Sequence, residues 1–170
     1  GCEGFSVSFS DITANNPNTF LWDFGDGATS ILQNPIHIYD TEGVYDITLT
    51  TSISGQCAAS VIFPAEIEVF AKPSISFVAD TTLGCFIPFN VQFTDNTIDV
   101  ASWSWDFGDG NFSNIQSPSN IYISSGVFDV SLLVVNNDGC VSSDTFPNYM
   151  RIDSSSIANF RATTIVSCAG

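Results

Sequence analysis

The residues best suited to chemistry are aspartates in a six-residue motif that occurs twice. The motif Trp-Asp-Phe-Gly-Asp-Gly occupies residues 22–27 and again residues 105–110. Its polar, glycine and tryptophan positions are Trp22, Asp23, Gly25, Asp26, Gly27, Trp105, Asp106, Gly108, Asp109 and Gly110. Two carboxylates with nearby carbonyl oxygens are ligands that Ca²⁺ prefers, so one interpretation is a weak structural calcium site at Asp23 and Asp26, and at Asp106 and Asp109. The other is turn chemistry, in which Asp bonds its own backbone and Gly supplies positive φ. The sequence leaves both open, and calcium is the one cofactor it suggests.

The sequence predicts no catalytic residues. His37 is the single histidine, and the equivalent position in the second copy is Asn120, so a triad built on histidine would exist in one copy alone. Glycoside hydrolysis by paired carboxylates requires a cleft and a raised pKa, which aspartates in an exposed glycine-rich turn do not offer. We therefore expect a protein that is not an enzyme.

The five cysteines follow a period of 83 residues. Cys2, Cys85 and Cys168 form one series, and Cys57 and Cys140 form the other. No C-x-x-C pair exists, so disulfides in an oxidising compartment are favoured over a metal site. We favour the pairs Cys2–Cys57 and Cys85–Cys140, because a bridge within one repeat does not depend on the junction between repeats; the partner of Cys168 then lies outside the segment. The alternative pairs are Cys57–Cys85 and Cys140–Cys168, which would join neighbouring repeats.

Charge and hydropathy exclude two classes of partner. Three Lys and Arg residues against 18 Asp and Glu give a net charge of −15, so no basic patch can neutralise nucleic-acid phosphates or an anionic membrane. No apolar run approaches the ~20 residues of a membrane helix. The sequence does not start with a signal peptide, which is typical of a mature or excised segment.

The elements that must position the motif are β-strands. Phe20, Trp22 and Phe24 alternate with polar or opposite-facing neighbours, and a glycine-rich turn follows them. Similar period-two patterns predict strands near residues 7–11, 29–32, 36–39, 44–52, 58–63 and 65–70, with copies one period later, and no window carries a helical stripe. The sequence therefore predicts an all-β protein.

One repeat of 83 residues covers the whole chain. We assign residues 1–71 to a repeat that lacks its first strand, 72–153 to a complete repeat, and 154–170 to the opening strand of a third. This offset has two interpretations. Either the segment is cut from a longer array, or the last strand completes the first repeat of another copy, head to tail.

Three motifs together resemble the PKD (polycystic kidney disease) domain. They are W-D-F-G-D-G at residues 22–27, N-P-x-H-x-Y at 34–39 and E-G-x-Y-x-[IV]-x-L at 42–49. The second copy has Asn120 in place of His37 and Phe128 in place of Tyr45. The resemblance implies tandem immunoglobulin-like β-sandwiches of the PKD type with about seven strands each. Repeats with cysteines at these places look similar to those of bacterial surface and secreted proteins, Bacteroidota adhesins in particular.

The resulting prediction is a non-enzymatic module of a long extracellular repeat protein, such as a stalk, adhesin or cell-surface fibre. Disulfide-stapled beads would set spacing and contact neighbouring repeats, other copies, or a surface protein or glycan. The alternative is a substrate-targeting module of a secreted hydrolase, which an exposed aromatic platform at Trp103 and Phe112 would favour over core packing. Asn111 lies in an N-glycosylation sequon, and Thr81 lies in an Asp-Thr-Thr sequence that resembles a bacterial O-glycosylation motif.

Overall fold

The computed structural model describes residues 1–54 and 57–154, and its secondary structure over these ranges consists of strands alone. The chain divides into two compact units. The first contains residues 1–75 together with segments 97–102 and 134–142, and the second contains the remainder. No helix in the described ranges has the length and apolar character needed to cross a membrane.

The first unit is a sandwich of a two-stranded and a four-stranded sheet. Its strands are β1 (Phe5–Ser8), β2 (Thr19–Asp23), β3 (Thr29–Ser30), β4 (Ile36–Tyr39), β5 (Gly43–Ser52) and β6 (Ala59–Val69). Strand β1 pairs with β4, and the larger sheet has the order β3-β2-β5-β6, with antiparallel pairs throughout. The sheets enclose one apolar core. Its buried members are Trp22, Phe24, Tyr39, Ile47, Leu49 and Val69.

The second unit repeats this arrangement with more strands. They are β7 (Phe77–Ala79), β8 (Leu83–Gly84), β9 (Phe89–Asp95), β10 (Ser102–Asp106), β11 (Phe112–Ser113), β12 (Ser119–Tyr122), β13 (Gly126–Val135) and β14 (Val141–Ile152). One sheet has the order β12-β9-β7, and the other has the order β11-β10-β13-β14-β8, in which β8 and β14 run parallel. The described residues thus contribute six strands to the first repeat and eight to the second, against the expected seven or so.

The alternation in the sequence explains how the core forms. Trp22 and Phe24 are 4% and 2% exposed, whereas Leu21, which precedes Trp22 and faces the other side of β2, is 47% exposed. Trp105 and Phe107 are almost fully buried in the second unit. Burying such large aromatic side chains contributes several kcal/mol each, at roughly 25 cal/mol per Å² of apolar surface.

One strand is longer than the sequence predicts. We expected separate strands at 58–63 and 65–70, but β6 runs unbroken through Pro64. Proline lacks the N–H of a ladder bond, and β6 tolerates it because it is the edge strand of its sheet. A register shift in the pairing with β5 between Tyr45 and Ile47 takes up the extra length next to it.

The predicted domain boundaries stay predictions. The two units do not follow them, since segments 97–102 and 134–142 belong to the first unit. The predicted opening strand of a third repeat, residues 154–170, lies outside the described residues except for Ser154.

Candidate functional site

The first aspartate motif forms a turn closed by its own carboxylates. The N–H of Gly25 donates to Asp23 Oδ1 at 3.0 Å, and the N–H of Ala28 donates to Asp26 Oδ1 at 2.9 Å. Gly25 and Gly27 have φ values of 81° and 93°, where glycine is favoured. Both aspartates therefore act as acceptors for backbone donors within two residues.

The second motif repeats this geometry. The N–H of Gly108 donates to Asp106 Oδ1 at 2.9 Å, and that of Asn111 donates to Asp109 Oδ1 at 3.0 Å. Gly108 and Gly110 again have positive φ, at 76° and 91°. The repetition in both copies supports the turn interpretation of the motif.

The second carboxylate oxygen of Asp26 and of Asp109 contacts the second strand after its turn, β4 or β12. Asp26 Oδ2 lies 2.7 Å from His37 Nε2, and His37 stacks on Phe24 with 4.2 Å between ring centres. Burial acts to raise the pKa of Asp26, but the hydrogen bonds from Ala28 and His37 outweigh it and lower that pKa. His37 thus anchors the turn.

In the second copy an amide replaces the imidazole. Asp109 Oδ2 accepts from Asn120 Nδ2 at 2.9 Å and from Asn111 Nδ2 at 3.1 Å. His37 and Asn120 are therefore equivalent anchors of the turn, and a catalytic role is not needed to explain either side chain.

The calcium sites at Asp23 and Asp26, and at Asp106 and Asp109, stay a prediction. Within residues 1–54 and 57–154, no three or more His, Cys, Asp or Glu side chains cluster closely enough to hold a metal ion. The aspartates of each turn face N–H donors, which compete with a cation for the same oxygens.

Two further hydrogen bonds join each turn to the core. Trp22 Nε1 donates to the carbonyl of Leu32 at 3.1 Å, and the hydroxyl of Tyr39 donates to the carbonyl of Phe24 at 3.1 Å. Burial, and then the charge of Asp26, raise the pKa of Tyr39 to about 12. In the second unit Trp105 donates to Ile115 and Tyr122 to Phe107, at 3.0 and 3.2 Å.

The cysteines pair differently from both sets of predicted bridges. Cys2 forms a disulfide with Cys140, with 5.6 Å between Cα atoms and a sequence separation of 138. Cys57 and Cys85 are exposed and form no disulfide with another described cysteine. The predicted Cys2–Cys57 and Cys85–Cys140 bridges are therefore wrong, as are the alternatives Cys57–Cys85 and Cys140–Cys168; Cys168 itself lies outside the described residues.

Strand length explains the error. Cys57 precedes the start of β6, whereas Cys2 pairs with Phe70, directly after its end. Eleven residues at ~3.3 Å each separate the two ends of such a strand by roughly 35 Å, and a disulfide needs Cα atoms within about 7 Å. The 12 residues of β14 separate Cys140 from the Cys85 region in the same way.

Four further residues were predicted as candidate sites: Trp103, Phe112, Asn111 and Thr81. Of these, Asn111 bonds a carboxylate of the aspartate turn. Trp103 is half-buried, and its Nε1 donates to buried Asp95 at 2.6 Å, which supports a packing role, while Phe112 is 70% exposed. Asn111 is exposed but donates to Asp109, and the Thr81 hydroxyl donates to the carbonyl of Leu83 at 3.1 Å. Glycosylation at Asn111 and Thr81 stays a prediction.

A family model described as the PKD domain matches residues 2–67 and again residues 70–152. The chain belongs to the PKD domain family. The two matches confirm the resemblance of the three motifs and the tandem immunoglobulin-like organisation, and each PKD repeat contains one aspartate turn.

Similar proteins include bacterial proteases. The chain is 41% identical over 58 residues to a microbial collagenase of Vibrio alginolyticus, covering 32% of the chain and 7% of the collagenase. It is 26% identical over 152 residues to the pre-pro-metalloprotease PrtV of Vibrio cholerae, covering 84% of the chain and 16% of PrtV. The chain thus spans less than a fifth of the length of either relative.

Among solved structures, the PKD1 domain of Vibrio anguillarum Epp is 26% identical to the chain with a TM-score of 0.41. That alignment covers 49% of the chain and 95% of the PKD1 domain.

Sequence reasoning missed the role of Asp46 and its counterpart Asp129. Asp46 Oδ1 accepts from the N–H of Ala65 at 2.7 Å, and Asp129 Oδ1 accepts from the N–H of Asn148 at 2.7 Å. Both donors have positive φ. In both repeats the acid and the donor are 19 residues apart in sequence. This repeated spacing could have indicated the contact, but only once the pairing of the two strands is known.

Proposed function

We propose that this pair of PKD repeats is a non-enzymatic spacer and adhesion module of an extracellular repeat protein. The observation that carries the proposal is the use of the motif carboxylates. In both repeats they accept hydrogen bonds from the turn that they close and from His37 on β4 or Asn120 on β12. The repeated polar residues therefore fix a shape.

The disulfide gives this shape a mechanical role. Tension applied at the two ends of the chain passes from Cys2 to Cys140 through the covalent bridge and then into β14, which begins at Val141. The loop closed by this bridge, whose two ends have a sequence separation of 138, is shielded from the load. In the chain-entropy model, closing a loop of this size stabilises the fold by about 5 kcal/mol.

An extracellular location fits the same bond. Structural disulfides persist in oxidising compartments and are rare in the cytosol. Negative surface charge and a nearly complete lack of basic residues suit solubility outside the cell, with protein or glycan surfaces as partners.

A second function is favoured by the identity of the relatives. The chain matches a small part of a collagenase and of a metalloprotease, as expected of a targeting module beside a catalytic domain. Under that function, immobilised collagen or polysaccharide would retain the chain in a solid-phase binding assay. Phe112→Ala would weaken this retention. The spacer and adhesion function does not depend on Phe112, so under it Phe112→Ala leaves any retention unchanged.

Force spectroscopy on the single chain, held at its two ends, tests the spacer function. With the disulfide intact, the extension should lack the contribution of the closed loop. Reduction should release up to ~3.6 Å per residue, or roughly 500 Å for 138 residues. Cys140→Ser is the matched control and should behave as the reduced protein does. Equal extension before and after reduction would show that the bridge carries no load.

A further inference from the structure

Two exposed thiols of the chain occupy the positions of the two halves of its disulfide. Cys85 is one period after Cys2, and Cys57 is one period before Cys140. Both are exposed, and neither pairs with another described cysteine, whereas Cys140 is fully buried. The period therefore relates the disulfide-bonded pair, Cys2 and Cys140, to a pair of free thiols, Cys85 and Cys57.

The occupied pair defines a docking face in the first unit. Phe70 donates its N–H to the carbonyl of Gly1 at 2.7 Å and accepts from the N–H of Glu3 at 3.0 Å, which places Cys2 beside the end of β6. The loop that bears Cys140 sits on this face. Its Asn136 accepts from the N–H of Cys140 at 2.7 Å and donates Nδ2 to the carbonyl of Ala71 at 3.1 Å.

A cleft lined by positions one period apart exists in each unit. In the first unit it is lined by residues 42–44 and 68–71, together with Asp99, Asn136 and Asp138. In the second unit it is lined by residues 125–127 and 151–154, which are the equivalents of the first two segments one period later. The loop residues that complete the first cleft have no counterpart in the lining of the second.

The backbone beside Cys85 also matches that beside Cys2. Asp153 donates its N–H to the carbonyl of Gly84 at 2.8 Å, as Phe70 does to Gly1. Strand β8 runs parallel to β14 with Ile152 opposite Gly84. The second unit thus presents the same face, with an exposed thiol at its edge.

We propose that this face, made of residues 125–127, 151–154 and Cys85, receives the Cys57 loop of a second copy of the chain in a head-to-tail joint sealed by a Cys85–Cys57 disulfide. The 83-residue period indicates what binds there. Cys2 pairs with the loop cysteine of the next repeat, Cys140, so Cys85 should pair with the loop cysteine of the repeat after that. In a second copy placed at the same spacing, Cys57 takes that place. This inference rests on the proposed spacer function and gives its assembly rule.

The bond forms by a balanced two-electron exchange. The Cys85 thiolate attacks oxidised glutathione and releases one glutathione thiolate; the Cys57 thiolate of the second copy then displaces the second glutathione and forms the protein disulfide. Two protein thiols lose two protons and two electrons, and one oxidised glutathione becomes two reduced molecules.

Among its sequence differences from the Cys140 loop, the Cys57 loop lacks the side-chain amide of Asn136, which donates to the docking face and accepts from the N–H groups of Asp138 and Cys140. Ile53 stands where the second repeat has Asn136, whose Nδ2 donates to the carbonyl of Ala71. In the proposed joint the equivalent acceptor is the carbonyl of Ser154, and Ile53 cannot donate to it. Non-covalent affinity should therefore be low, and the joint should depend on the oxidant. Ile53→Asn should restore the donor and accelerate joint formation several-fold.

Mixed oxidation of two single-thiol variants tests the joint. In a Cys168→Ser background, Cys57→Ser leaves Cys85 and Cys85→Ser leaves Cys57. Each variant, and their equal mixture, is incubated with a glutathione redox buffer at 0.15 M salt, where the Debye length of about 8 Å limits repulsion between acidic copies. Non-reducing electrophoresis and peptide mass spectrometry identify the linked species.

The expected result is a dimer in the mixture alone, linked Cys57–Cys85, with faster formation when Ile53→Asn is introduced into the Cys85→Ser variant. Homodimers in the separate variants at the rate of the mixture, or monomers throughout, would overturn the proposal. So would an unchanged rate with Ile53→Asn. Failure here leaves the Cys2–Cys140 load path intact, so the force measurement on the monomer tests the spacer function separately.

Discussion

At the scale of single residues, the aspartate motif is a device for a tight turn against a strand. A Cβ built on Gly25 would lie 2.6 Å from the carbonyl oxygen of Asp46, whereas one built on Gly27 would meet nothing within 4 Å. Gly108 contacts the Asp129 carbonyl in the same close manner. The first glycine of each motif is therefore required for space and conformation, and the last for conformation alone.

This difference predicts unequal costs for two similar substitutions. Gly27→Ala should lower the free energy of unfolding by about 1 kcal/mol, the strain of an L-residue at positive φ. Gly25→Ala should cost at least about 2 kcal/mol more, since the backbone of β5 must move to admit the methyl group. Urea unfolding of both variants measures the difference, and equal costs would contradict the assigned contact.

Much of the turn was predictable from residue types, because Asp and Gly act within two residues of their own position. The anchoring of Asp26 by His37 was not, since these residues are 11 apart and meet only through strand geometry. Hydrogen bonds between residues close in sequence can be predicted from a short motif, whereas bonds between distant residues depend on the register of the sheet.

At the scale of elements, the distinctive feature is the irregularity that Asp46 stabilises between β5 and β6. Ala65 has a φ of 51° and donates its N–H to Asp46, and the ladder shifts register between Tyr45 and Ile47. Asn148 takes the same conformation, with φ 54°, opposite Asp129. The two repeats therefore share one backbone conformation at this position, adopted by an alanine in the first and an asparagine in the second.

The side-chain difference predicts unequal gains from glycine. Ala65→Gly should stabilise the protein by about 0.5–1 kcal/mol, because it relieves left-handed strain that exceeds the entropy cost of glycine. Asn148→Gly should gain less, since Asn tolerates this conformation. The matched control Ala59→Gly, in regular β6, should destabilise by a similar ~0.5–1 kcal/mol. Thermal unfolding ranks the three, and a destabilising Ala65→Gly would refute the strain.

Most strands were predictable from alternation, as the agreement at residues 36–39 and the close match at β5 illustrate. The continuity of β6 through Pro64 was not, because it depends on β6 being an edge strand, a property of the whole sheet.

At the scale of the whole molecule, the chain has two PKD repeats, and its described cysteines form one disulfide, between residues with a sequence separation of 138. The period of 83 residues identified which cysteines are equivalent but not which ones pair. Pairing depends on distance, and distance here is set by strands of 11 and 12 residues that separate the cysteines of a single repeat. The bridge in turn sets the path of mechanical load on which the spacer function depends.

Disulfide mapping of the purified, oxidised chain tests this account most directly. Thiols are alkylated without reduction, the chain is digested, and linked peptides are identified by mass spectrometry. The account predicts a peptide that joins Cys2 to Cys140, with Cys57 and Cys85 alkylated in the monomer. Recovery of Cys2–Cys57 and Cys85–Cys140 peptides instead would contradict it.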